Sequence, residues 1–244
     1  MLFQQTIEKL YELNLKTMAQ ALQEEVLNGN TGLSFEERIG LLVDREWGAR
    51  QEKRCLARLR AAKLRQSACV EDIDYRSKRN LDRQVMQDLI TCRWIKAGRN
   101  LIITGPAGVG KSWLACALGN QACREGLTSL NQRVSRLVEE LTIARAEGNF
   151  LKRLERIAKV DLLILDDWAL SDLSRSAYND LLEVLDDRVG KRSTIVTSQL
   201  PTAHWYDKVG NPKVADALLD RVIPNAILLD LKGDSMRPNL QNPK

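Results

Sequence analysis

The residues best suited to chemistry are Gly105, Pro106, Ala107, Gly108, Val109, Gly110, Lys111 and Ser112, with Trp113 next in line, and the acidic pair Asp166-Asp167. The first group fits G-x-x-x-x-G-K-[ST], a loop whose glycines let backbone N–H groups converge on a phosphate group. A helix starting at Lys111 would add its free amides and its dipole at the same spot. Lys111 is expected to reach the β and γ phosphates of ATP, and the Ser112 hydroxyl is a hard oxygen ligand suited to Mg²⁺. Asp166 is expected to share that ion. Asp167 is expected to orient or deprotonate the water that attacks the γ-phosphate.

These residues need a scaffold, and the pattern around them supplies one. Leu101 to Thr104 is a short apolar run before the glycines, and Trp113 to Cys123 is an apolar-periodic helix after them. Further runs at 127–130, 161–165, 194–197 and 226–229 alternate with helical patterns at 134–146, 177–189 and 214–222. Alternating strands and helices give an α/β domain, a parallel sheet with helices on both faces. Ligands collect at the carboxyl ends of such strands, where Asp166 and Asp167 lie. Ser198 and Gln199 end another strand and are placed to touch the γ-phosphate or its water.

The first part of the chain reads as helix. Ser34 and Glu37 have the form of a capping box, and Asn28-Gly29-Asn30 supplies a stop before it. The expected organisation is a small all-helical domain over 1–67, a polar linker over 68–80 and the α/β domain over 81–244. Between Arg45 and Arg65 eight basic residues face two glutamates. Arg50, Arg54 and Arg58 recur every four residues, Arg65 follows Arg58 by seven, and Lys53 lies beside them. Such a stripe can follow DNA phosphates, while a solvated cationic face is the alternative reading.

The 244 residues carry a net charge of +5 and are 44% hydrophobic, the composition of a folded protein rather than a disordered one. Five cysteines without a Cys-x-x-Cys pair and a single His204 argue against a disulfide framework or a zinc site. The first ten residues lack the form of a signal peptide, and no apolar stretch approaches membrane-spanning length. A cytoplasmic location, with no membrane partner, is the expectation.

Read together, GPAGVGKS, DLLILDD, Leu33 to Arg38, Asn80 to Arg83, Arg192 to Ser198 and Ala217 to Arg221 resemble the IstB-like transposition helper ATPases, relatives of DnaC-type helicase loaders within the AAA+ proteins. The resemblance covers nearly the whole chain. It implies an AAA+ ATPase with ATP and Mg²⁺ that forms a homo-oligomer on double-stranded DNA and activates a transposase of the same mobile element. By position it makes Arg221 an arginine finger, Gln199 a first sensor and Arg237 a second sensor. It also implies that no C-terminal helical lid follows the sheet. Asp167 replaces the more usual Glu, which predicts slow turnover, and the polar stretch 168–173 has no reading. A helicase loader, or a nucleotide switch that binds ATP without hydrolysing it, remains open.

Overall fold

A computed structural model describes residues 2–28, 32–169 and 173–237. The chain divides into two compact units, 1–57 and 58–244. Asn28 ends a helix in the first unit, but Gly29 and Asn30 of the expected stop lie outside the described residues, as do positions 170–172 of the polar stretch.

The first unit contains α1 (Leu2–Glu12), α2 (Lys16–Asn28) and the start of α3 (Phe35–Ala62). Ile7, Ala19, Ala21 and Leu42 are its buried apolar residues. The capping box forms: Glu37 N–H donates to Ser34 Oγ at 3.2 Å and Ser34 N–H to Glu37 Oε2 at 2.8 Å. Two donors at the helix start are thereby satisfied reciprocally.

The second unit is a five-stranded parallel sheet. Its strands are β1 (Leu101–Thr104), β2 (Ser129–Arg133), β3 (Leu162–Trp168), β4 (Ser193–Ser198) and β5 (Ile227–Asp230), in the order β2-β3-β4-β1-β5. Its helices are α4 (Arg83–Ile90), α5 (Arg93–Lys96), α6 (Lys111–Arg124), α7 (Val134–Ala146), α8 (Phe150–Lys159), α9 (Arg175–Asp186), α10 (Trp205–Val209) and α11 (Pro212–Val222). Successive strand residues serve opposite layers, as the pleat requires. Leu101, Ile103, Leu162, Ile164 and Ile195 pack with Leu114 and Leu118 of α6 and with Met86 and Trp94. Ile102, Leu163, Leu165 and Val196 pack with Leu137, Leu154, Leu181 and Leu218 of α7, α8, α9 and α11. Burial on both faces explains why β1 and the first four residues of β3 read as continuous apolar runs.

The segment 68–80, polar in sequence, is not merely a tether. Ala68, Val70 and Ile73 are buried with the α6 layer, and Val70–Asp72 forms a 3₁₀ turn. Three apolar residues among many polar ones are too few to show periodicity. Among the described residues no helix is long and apolar enough to cross a membrane.

Candidate nucleotide site

The glycine loop joins the end of β1 to the start of α6. Gly105, Gly108 and Gly110 have φ values of 143°, 82° and 101°, a region that side chains disfavour. Space is equally restrictive: a Cβ on Gly105 would lie 2.4 Å from Leu231 O, and one on Gly108 2.2 Å from Ser235 Oγ. The segment after β5 therefore lies directly on the loop, and Met236 N–H donates to Gly108 O at 3.0 Å. Val109 is buried in the core and anchors the loop from below.

Lys111 is 8% exposed, and its ammonium donates to Gly105 O at 2.7 Å and Pro106 O at 2.8 Å. Burial pushes its pKa below the ordinary lysine value. Asp167 and Asp166 oppose that shift and Arg237 adds to it. A cleft of about 390 Å³ opens beside it, within the range of small-molecule sites. Ala107, Gly108, Gly110, Lys111, Ser112, Trp113, Asp167, Gln199 and Arg237 line this cleft, nine of the residues expected from sequence.

Asp166 sits at the buried carboxyl end of β3 and is 3% exposed. The Ser112 and Thr197 hydroxyls both donate to its Oδ1, each at 2.6 Å. Thr197 comes from β4, which lies between β1 and β3 and so ties the two chemical ends of the site together. Asp167 lies within a register shift between Leu165 and Trp168, with φ of 61°. That irregularity breaks the strand alternation and turns the second carboxylate toward the cleft. Its N–H donates to Thr197 Oγ1 at 3.2 Å, and its Oδ2 lies 3.0 Å from Arg133 Nε at the end of β2.

Four side chains here carried no sequence signal for the site. They are Thr197, Arg133, Arg79 and Arg65. Arg79 is 4% exposed, lines the cleft, donates to Asp74 O at 2.9 Å and leaves its buried Nε without a hydrogen-bond partner. Sequence spacing puts Arg65 in the basic stripe, but α3 ends at Ala62 and Lys63 takes φ of 51°. The seven-residue spacing from Arg58 is therefore not helical, and Arg65 Nη1 instead lies 3.9 Å from Asp166 Oδ2. A second cavity of about 220 Å³ is lined by Arg65, Gln66, Ser112, Arg133, Asp166, Asp167 and Arg237.

The other expected residues lie apart. Arg221 on α11 pairs with Asp186 and donates to Ala217 O at 2.7 Å, and it does not line the cleft. Arg50 pairs with Glu46 at 2.7 Å and donates to Asn14 O at 2.9 Å. Arg58 Nε donates to Cys123 O at 2.8 Å. Lys53 and Arg54 are exposed.

The donor set fits a nucleotide with magnesium. A loop shaped for an anion, a buried ammonium and the Ser112–Asp166 oxygen pair are what that ligand requires. Among the described residues no cluster of three or more His, Cys, Asp or Glu side chains is arranged to hold a metal ion unaided. Phosphate and water oxygens would complete a magnesium shell here.

Residues 8–242 match the family described as IstB-like ATP binding protein. A relative in Sinorhizobium fredii, named as an insertion sequence ATP-binding protein, is 51% identical over 240 residues, 98% of either chain. The insertion sequence IS1162 ATP-binding protein of Pseudomonas fluorescens is 52% identical over 206 residues, 83% of this chain and 89% of its own. Among solved structures the DnaC helicase loader superposes with a TM-score of 0.57 at 20% identity, covering 70% of this chain and all of its own. That degree of likeness concerns the fold alone, a parallel sheet with its flanking helices.

Proposed function

Because this chain belongs to the IstB-like ATP-binding proteins of insertion sequences, we propose that it is an ATPase that assembles on duplex DNA and activates the transposase of its own mobile element. The observation that supports the ATPase reading is the pair of bonds that the Ser112 and Thr197 hydroxyls donate to Asp166, beside a cleft lined by Lys111, Ser112 and Asp167.

In this reading the backbone amides of 108–112 hold the phosphates, and Lys111 exchanges its bonds to Gly105 O and Pro106 O for bonds to phosphate oxygens. Ser112 and Asp166 would hold a magnesium ion, which when bound would supply positive charge against the phosphate oxygens. Asp167 aligns a water for in-line attack on the γ-phosphorus and takes its proton as the bond to the β-phosphate oxygen breaks. Gln199 offers an amide to the same water or phosphate, and Arg237 offers charge from the segment over the loop. Arg221 acts on a neighbouring subunit's nucleotide, a role consistent with its not lining its own cleft. Lys53 and Arg54, with Arg50 and Arg58, face DNA phosphates and read shape rather than bases. Target choice then lies with the transposase.

The Arg133–Asp167 pair favours a second reading, a nucleotide switch whose base is held away from water. Multiple-turnover phosphate release with and without duplex DNA separates the two. More than one phosphate per protein, increased by DNA, supports the ATPase; at most one, with DNA present, rejects it.

A further inference from the structure

The chain beyond α3 reaches into the nucleotide site by a short, anchored route. Ala62 is fully buried, and Lys63 then turns the backbone. Leu64 fills the notch above Gly119 of α6, where a Cβ would meet Leu64 Cδ2 at 2.9 Å and Ile164 Cδ1 at 2.8 Å. Fixed at these points, Arg65 is presented to the carboxylate end of the site.

The electrostatics there are unbalanced. Arg65, Arg133 and Arg237 surround the smaller cavity against only Asp166 and Asp167. Lys111 adds a further positive charge in the adjoining cleft. Asp166 Oδ1 is already taken by two hydroxyls, and Arg65 stands off Oδ2 at 3.9 Å with its side chain 46% exposed. At that separation most of the guanidinium's donors are uncommitted. An excess of cation at the far end of a phosphate-shaped loop calls for an additional anionic group, and a nucleoside triphosphate carries one that a diphosphate lacks.

We infer that Arg65 is a nucleotide-reading residue that engages the terminal phosphate from within its own subunit and so discriminates triphosphate from diphosphate. The inference rests on the nucleotide-site reading above.

Titration calorimetry with the full chain tests it, using ADP and a non-hydrolysable ATP analogue, each with Mg²⁺ and with a chelator. One charge-assisted hydrogen bond lost from Arg65→Gln should weaken the triphosphate about tenfold or more and the diphosphate less than about twofold. Arg65→Lys should lie between, because it restores the charge without the fork. Equal weakening of both nucleotides, or no change in either, would overturn the inference, since a merely structural arginine cannot change their ratio. Wild-type protein that binds neither nucleotide would remove the underlying reading as well.

Discussion

The guanidinium of Arg133 lies 3.0 Å from the carboxylate of Asp167, so the group best placed to act on water is held by a cation from the neighbouring strand. The two side chains are 46% and 26% exposed, and an ion pair of that kind is worth roughly 0.2–1 kcal/mol. Freeing the carboxylate with Arg133→Ala is expected to raise DNA-independent turnover by up to about fivefold. Steady-state phosphate release checks this; a fall would mean that the arginine serves the transition state.

Lys111→Ala and Asp167→Asn should fail differently. The lysine addresses ground-state phosphates, and its loss is expected to lower ATP affinity on the order of 100-fold. Asp167→Asn should keep affinity within a few-fold while turnover drops by at least about 100-fold. Equilibrium binding and single-turnover assays on both variants separate the roles, and equal loss of binding in the two would refute them.

Arg221 offers a test in mixtures. Neither Arg221→Ala nor Lys111→Ala should hydrolyse ATP well alone, but mixed oligomers should regain activity, because the arginine of one variant completes the intact loop of the other. Co-assembly without recovery would place Arg221 outside catalysis or within its own site.

The basic run of α3 is testable by salt. Replacing exposed Lys53 and Arg54 by Gln should flatten the dependence of log binding constant on log salt by about 2 per protomer, nearly one per phosphate contact. Arg58 is a poorer choice than sequence suggests, since its bond to Cys123 O makes it partly structural. An unchanged slope in a folded variant would make this a solvated face.

Cys92 gives a pH signature of the fold. Burial first, then the charge of Glu125, pushes its thiol from 9.0 up to about 11. An acid whose pKa is raised by folding stays neutral longer in the native state, so this stability is intact below pH 9 and declines between pH 9 and 11. The loss is at most about 3 kcal/mol. Urea titrations across that range should show a shallower decline for Cys92→Ala than for wild type.

The phosphate loop and the acidic pair were legible because their residues are contiguous and bounded by strands that alternate with helices. What sequence order conceals is which strands become neighbours. Nothing near residue 197 announces that its hydroxyl will reach Asp166, because β4 enters between β1 and β3 only when the sheet assembles. Arg133 is hidden in the same way, one strand further out. Arg65 misled for a local reason: its spacing fits a helix that Lys63 has already ended. Val70 and Ile73 were lost among charged neighbours, since two apolar residues make no pattern.

The strand order also fixes a dimension. Adjacent strands lie about 4.8 Å apart and rotate by roughly 20–25°, so β1 and β3, two steps apart, are separated by about 10 Å and splayed by about 45°. At the carboxyl edge this leaves a wedge-shaped gap with the glycine loop on one bank and the acidic pair on the other. Were β1 and β3 adjacent, the gap would halve and the loop would stand against the carboxylates with little room for a phosphate between them. β4 thus acts as a gauge block, and the Thr197 hydroxyl at its tip marks the floor of the gap it holds open.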